Sequence, residues 1–500
     1  MKNFTAFHRH SSRERFLEGD KSESKKNSPK VDNIKNHEKL LSDYKTRLGG
    51  KEQINMVVVG HVDAGKSTLM GHLLFKLGCV NKQLMHKYQK ESQKLGKGSF
   101  MYAWVLDETG EERSRGVTMD IAQSEFETEH KIITLLDAPG HKDFIPNMIT
   151  GASQADVAVL VVDATRGEFE TGFDSGGQTR EHAILVKALG VSQLAVAVNK
   201  LDNVEWSEER FNEIKDKLKV YLKQIGYKDS DVKYIPCSGL VGENINEGPV
   251  DEKLKAWYKG LTLIQAIDEF SAPERAITKP LRFTVSDVFK GQNGKLCIAG
   301  RVETGSIQCV YFDNTELIYR TLAGVTIGDN SVNQAFAGDH VVISVSGIDM
   351  NNIFVGNIIC DRHDPIKAGS VIRARVILFN PKVPITKGFP VILYTKSVSE
   401  QASVSKIISL LNKSTGEIIK KKPRCLSKNS SAEIKIKTSR PICVEAYKDC
   451  KELGRITLRY GGSTIAAGLV TKLQGNRVCD PLCSLRDYAQ ILVPFTIISL

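Results

Sequence analysis

Residues 54–78, INMVVVGHVDAGKSTLMGHLLFKLG, restrict the possible folds of this chain more than any other stretch. INMVVV is apolar without alternation, the pattern of a strand buried on both faces. It runs directly into Gly60-His-Val-Asp-Ala-Gly65-Lys66-Ser67, which fits G-x-x-x-x-G-K-[ST] and opens a helix-period segment. The glycines let backbone N–H groups curl around phosphate oxygens, and the helix N-terminus adds partial positive charge. Asp63, Ala64, Gly65, Lys66, Ser67 and Thr68 are the expected phosphate-binding set. Lys66 reaches the β and γ oxygens, and Ser67 offers a hydroxyl to Mg²⁺.

The same buried-strand pattern returns in ITLLD (133–137), VAVLVVDA (157–164) and LAVAVNK (194–200). Helix-period stretches such as TREHAILVKALG (179–190) lie between them. The alternation predicts an α/β unit with a mostly parallel sheet and helices on both faces. After Ser271-Ala-Pro273 the pattern changes to short alternating runs, LRFTVSDVF, LCIAGRVETG and HVVISVSG, separated by Gly, Asn and Asp. These predict small antiparallel β-barrels. The expected organisation is a disordered basic arm and linker helix over 1–50, with Asp32 as the helix cap and Gly49-Gly50 as its stop. The α/β unit follows over 51–272, one barrel over 279–368, a second over 369–473, and a divergent tail over 474–500.

Three further motifs complete a nucleotide site. Asp137-Ala-Pro-Gly140 closes the strand ITLLD. Its carboxylate can hold the Mg²⁺ shell through a water, and Gly140 can give an N–H to the γ-phosphate. Asn199-Lys-Leu-Asp202 ends LAVAVNK and names the base. Asp202 can accept the N1–H and 2-amino protons of guanine, whereas adenine would leave that carboxylate unpaired at a cost of several kcal/mol. Asn199 ties this loop to the phosphate loop, and Lys200 lays its stem along the ring. Ser238-Gly239-Leu240 can offer a backbone N–H to the guanine O6. In this order the four elements make a GTP site.

Composition narrows the setting. No apolar run approaches the roughly 18 residues of a membrane helix, and MKNFTAFHRHSSRERFLEGD lacks the apolar core of a secretory signal; a cytoplasmic protein is expected. The ten cysteines are scattered, and only Cys479 and Cys483 are close-spaced, without a nearby histidine. Reduced thiols are expected, with structural zinc as the rival reading. Net charge is +11, but residues 369–500 hold 22 Lys and Arg against 8 Asp and Glu. That end alone carries the positive charge, which suggests contact with a polyanion there.

From residue 54 to about 473 the chain resembles the translational GTPases of the elongation factor 1-alpha group. GHVDAGKST, RGVT, DAPGHKDF and NKLD match the group's pattern, as does an α/β domain followed by two barrels. Ala64 and FETGFDSGGQTREH (169–182) are similar to its release and rescue branches. YAWVLDETGEERSRGVTMD (102–120), PITKGFPVILY with SLLNKSTGEIIKKKP, and ELGRITLRYGGSTIAAGLV (452–470) resemble the HBS-like rescue branch.

The resemblance implies the remaining roles. His141 would orient the attacking water, Val62 and Val117 would form a hydrophobic gate that holds it back, and Thr118 would coordinate Mg²⁺ and sense the γ-phosphate. Neither Arg113 nor Arg115 has a catalytic part in the family pattern, so activation would come in trans from ribosomal RNA. The GTP-bound form, otherwise monomeric, would carry a tRNA-shaped Pelota-type protein into the vacant A site of a stalled ribosome. KKKPR (420–424) would contact cargo or rRNA. Rival readings are a GTPase assisting peptide release, a GTP-binding scaffold without turnover, and the GTPase subunit of a sulfate-activating enzyme. Three places depart from the family pattern: strand register near 309–311, Cys425 in place of an aromatic, and the tail from 474.

Overall fold

The computed structural model describes residues 29–478 apart from 108, 175–176, 292–293, 309–321, 329, 347–349, 362–363, 380, 414 and 475–476. The expectations for the basic arm, for register near 309–311 and for Cys479 and Cys483 therefore lie outside the described residues.

Six strands form the first sheet: β1 (Glu52–Gly60), β2 (Ala122–Glu127), β3 (Lys131–Asp137), β4 (Val157–Asp163), β5 (Gln193–Asn199) and β6 (Val232–Pro236). Their order is β2-β3-β1-β4-β5-β6, and only the edge strand β2 runs antiparallel to its neighbour. The uninterrupted apolar runs have the expected cause, because both faces of the sheet are covered. Val57 and Val59 of β1 enter one core with Leu160, Val196 and Phe211. Ile54, Met56 and Val58 enter the other with Leu69, Leu73 and Ile235. The C-terminal ends of β1, β3 and β5 carry the phosphate loop, Asp137 and Asn199, so the topology gathers three of the sequence motifs at one edge.

The remainder is antiparallel. Strands Arg282–Lys290, Leu296–Thr304, His340–Val345 and Leu322–Ile327 form the middle of a second six-stranded sheet, with Ser306–Gln308 and Gln334–Phe336 paired beside it. In the last unit, Pro390–Thr395 pairs with both Arg455–Tyr460 and Val398–Leu411, which closes a barrel through Ser463–Gln474, Lys367–Leu378 and Ser431–Cys443. Closure removes the edge strands that an open sheet would expose.

Two expectations need correction. The first helix is Pro29–Leu48, so residues 29–31 are helical and Asp32 lies inside the helix rather than capping it. Tyr44 meets Phe336 edge-on at 5.3 Å, and Arg47 makes a forked pair with Asp339 at 2.6 and 2.7 Å. That tertiary contact anchors the C-terminal end of the helix. At the other end the barrel does not stop at 473. Gln474 completes a strand, and Arg477–Val478 pairs with Lys367 and Ala368.

Buried ions join the three units. Asp156 accepts from Arg275 at 2.6 and 3.0 Å and from Arg301 at 2.9 Å. Lys396 of the barrel donates to Ser153 O at 2.9 Å and to Glu303 at 3.0 Å. Removing one member of such a buried pair costs about 3–5 kcal/mol, because it strands the other charge.

Candidate nucleotide site

The phosphate loop is a tight turn between β1 and the helix Lys66–Lys76. Gly65 has a left-handed φ of 81°, and a Cβ there would stand 2.6 Å from the Asn199 amide nitrogen. Gly140 lies so close to Lys66 that a Cβ would stand 2.3 Å from Nζ. At Gly65 the left-handed backbone disfavours any side chain, and at Gly140 a side chain would displace the Lys66 ammonium. The Lys66 ammonium is buried and donates to His61 O at 3.0 Å. Burial pushes its pKa down, while Asp137, Asp63 and Asp107 pull the other way.

A cavity of about 370 Å³ opens over this loop. Its wall includes Val62, Asp63, Gly65, Lys66, Ser67, Thr68, Val117, Thr118 and Gly140 at one end, and Asn199, Lys200, Asp202, Ser238 and Leu240 at the other. Ala64 and Gly239 lie beneath it as backbone anchors. Asn199 donates to Ala64 O and accepts from Gly239 N–H, each at 2.8 Å, so one side chain holds both ends together. Lys200 donates to Asp63 O at 2.7 Å and pairs with Asp163 at 2.8 Å, which lays its stem across the wall. Asp202 Oδ1 is buried and has no hydrogen-bond partner in the chain. A lone buried acceptor is costly unless a ligand supplies donors, and the adjoining N–H groups of guanine are such donors.

Oxygens converge at the phosphate end. Ser67 Oγ donates to Asp137 at 2.5 Å and lies 3.0 Å from Thr118 Oγ1, which donates to Asp107 at 3.0 Å. Burial, with Asp137 nearby, pushes the Asp107 carboxyl up to about 7, and burial pushes Asp137 up to about 6. Two buried carboxylates beside two hydroxyls form a hard-oxygen set that fits Mg²⁺. Among the described residues no group of three His, Cys, Asp or Glu is gathered, so zinc has no comparable set there.

His141 stands apart from the cavity wall. Its Nδ1 accepts from Asp143 N–H at 3.3 Å, and its side chain is 37% exposed. Val62 and Val117, by contrast, line the cavity. His141 is thus half-exposed and outside the cavity wall, with its ring against Asp143 and Phe144.

Sequence reasoning missed two participants. Asp107 sits in the quoted stretch 102–120, but no spacing rule singled it out from the acids around it. Gln178 begins the helix Gln178–Leu189. Its amide donates to Gly140 O at 2.6 Å and His61 Nδ1 at 2.8 Å, and accepts from Lys142 N–H at 2.8 Å. Glu112 also shapes the loop before Thr118, accepting from Met119 and Asp120 N–H at 2.9 and 3.2 Å. Arg113 packs into the same loop: Nε donates to Asp107 O at 2.8 Å, and the guanidinium lies 5.0 Å from the Tyr88 ring centre.

Two family models match the chain. Residues 51–273 match the elongation factor Tu GTP binding domain, and residues 371–471 match the GTP-eEF1A C-terminal domain-like family. Elongation factor 1-alpha of Mucor circinelloides f. lusitanicus is 39% identical over 85% of this chain and 96% of its own length. The chain belongs to the elongation factor 1-alpha group of translational GTPases. Within the group, Protein HBS1 of Drosophila melanogaster is 57% identical over 435 residues, the similarity expected of the HBS-like branch. This chain covers 86% of itself in that match but spans only 64% of that relative's length. In fold it is similar to the S. cerevisiae Ski7 GTPase-like domain solved with GDP and inorganic phosphate, with TM-score 0.70 at 21% identity over 86% of this chain and 99% of that one. Among the described residues no helix is long and apolar enough to cross a membrane.

Proposed function

We propose that the chain is a GTP-hydrolysing rescue factor that delivers a tRNA-shaped, Pelota-type protein to the empty A site of stalled ribosomes in the cytoplasm. The observation that carries the cargo and the errand is the 57% identity to Protein HBS1. The unpaired Asp202 carboxylate supports guanine as the base.

In this reading Asp63 to Thr68 wrap the phosphates, with Lys66 and the Gly140 N–H meeting the γ-phosphate. Asn199, Lys200, Asp202 and the Ser238–Leu240 backbone hold the guanine. Ser67, Thr118 and Asp137 are the groups that would hold Mg²⁺, with Asp107 supporting Thr118. The ion supplies charge compensation on the β and γ oxygens when bound. His141 needs only to swing past Val62 and Val117 to orient a water in line with the γ-phosphate. Because phosphoryl transfer asks chiefly for positioning and charge compensation, a gated histidine is a sufficient switch. Thr118 and Gly140 lose their ligand on hydrolysis, and the cargo is released.

The test is capture of a purified Pelota-type protein by the chain loaded with a non-hydrolysable GTP analogue or with GDP, followed by co-sedimentation with vacant ribosomes. Nucleotide-dependent capture and joint sedimentation are expected. Capture of the peptide-release factor in its place would move the chain to the termination branch.

A further inference from the structure

A second cavity, of about 250 Å³, lies beside the helix Glu208–Gln224 and shares no lining residue with the nucleotide cavity. Lys215, Lys219 and Lys223 line it from the helix, and Lys228 lines it from the segment beyond. Spacing by four sets the three helical lysines on one face, where like charges repel by a few tenths of a kcal/mol per pair. On the same helix Lys217 is neutralised by Glu213 at 2.7 Å. In the cavity wall, among the described residues, Lys219 has a carboxylate within pairing distance, Asp229 at 3.6 Å. Positive charge is thus concentrated at a concave place, at a cost to the helix.

Two tyrosines point to what the charge is for. Tyr227 is 4% exposed and lines the cavity, and its hydroxyl has no hydrogen-bond partner. An unpaired buried hydroxyl is uncommon in a folded chain, and this one lies at the base of the lysine-lined cavity. The half-buried ring of Tyr234 forms part of the same wall.

We propose that this cavity binds a single-stranded RNA segment, with the lysines taking successive phosphates and Tyr234 giving a face on which a base stacks. Lysines with interleaved aromatic rings are the means by which proteins hold single strands. A carboxylate-bearing partner would favour forked arginine pairs, and the wall contains no arginine. The inference goes beyond the ribosomal reading and needs neither cargo nor ribosome for its test.

The test uses the full chain saturated with GDP, so that the nucleotide cavity is filled. Binding of a short fluorescein-labelled single-stranded RNA is followed by anisotropy from low to moderate salt, with ultraviolet crosslinking to locate the contact. Lys219→Glu with Lys223→Glu is compared with Lys420→Glu with Lys421→Glu, an equal charge change in the barrel. The first pair should weaken binding roughly tenfold or more, flatten the salt slope by about 1.4, near 0.7 per lost phosphate contact, and abolish the crosslink at 227–234. The barrel pair should keep that crosslink. Equal thermal melting of both variants checks that they fold. The proposal is overturned if crosslinks fall elsewhere and the first pair has no more effect than the second. It is also overturned if polyglutamate of equal charge displaces the RNA as well as RNA does, or if tripolyphosphate does so while Tyr234→Ala changes nothing. Those two results would assign the cavity to an acidic protein or to a free polyphosphate.

Discussion

Glu181 Oε1 accepts from both the backbone N–H and the hydroxyl of Thr464, at 2.8 and 2.6 Å, and so ties the helix Gln178–Leu189 to the closed barrel. Arg459 stands 3.8 Å from the same carboxylate. The first residue of that helix, Gln178, holds Gly140 and His61. One helix of 12 residues therefore touches both the barrel and the Gly140 turn at the cavity wall. Hydrogen bonds to a charged acceptor are worth about 1.5–3 kcal/mol. A double-mutant cycle with Glu181→Gln and Thr464→Val should give about 1–2 kcal/mol of coupling in denaturant unfolding. Strict additivity would mean that the contact carries no energy.

Changing Asp202 to Asn should alter base choice rather than folding. The amide presents donors where the carboxylate presented acceptors, so GTP affinity should fall roughly a hundredfold or more while xanthosine triphosphate, with a carbonyl at C2, gains. Calorimetry with both nucleotides checks this. Unchanged GTP affinity would remove Asp202 from the guanine site.

Acid should loosen the joint between the units. Burial alone would raise the Asp156 pKa, but Arg275 and Arg301 outweigh it and hold the carboxyl far below its ordinary range. A depressed native value means that the stabilisation is complete above the unfolded pKa, about 4, and is lost as pH falls below it. Melting temperature should therefore fall more steeply below pH 4 in wild type than in Asp156→Asn. The variant itself should be destabilised by about 3–5 kcal/mol at neutral pH, since two buried guanidinium groups lose their counter-ion. Parallel pH profiles would contradict this assignment.

Asn199→Ala should weaken GTP binding by roughly ten- to a hundredfold, the loss of two buried hydrogen bonds at about 1 kcal/mol each with some relaxation. The comparison of interest is with Asn199→Asp, which keeps the acceptor for Gly239 N–H and loses the donor to Ala64 O. Its new carboxylate oxygen would face the Ala64 carbonyl, so an affinity at or below that of Asn199→Ala is expected, measured by fluorescent nucleotide titration. Wild-type affinity in both variants would show that the loops need no tie.

The nucleotide site was legible because its parts are local. Gly60 to Ser67, Asp137 to Gly140 and Asn199 to Asp202 each follow a buried strand, and parallel order brings their ends together. What escaped is held by contacts between residues far apart in the chain. Asp107 matters through Thr118 and Asp137, and Gln178 through Gly140. They lie in the stretches 102–120 and 169–182, where no spacing rule sets them apart from their neighbours. Asp156 gave no hint that Arg275 and Arg301 would enclose it, at separations of 119 and 145 residues. The helix Pro29–Leu48 is anchored at its far end by Tyr44 and Arg47, whose partners Phe336 and Asp339 lie 292 residues on, beyond any local cap signal. The exposure of His141 outside the cavity wall is likewise not marked by any spacing in the sequence.

The most direct measurement is single-turnover GTP hydrolysis with and without vacant ribosomes, by wild type and by His141→Ala. Wild type should hydrolyse slowly alone and far faster with ribosomes, while the variant binds GTP equally well and loses nearly all of the stimulation. Full stimulation in His141→Ala would contradict the account of a gated histidine.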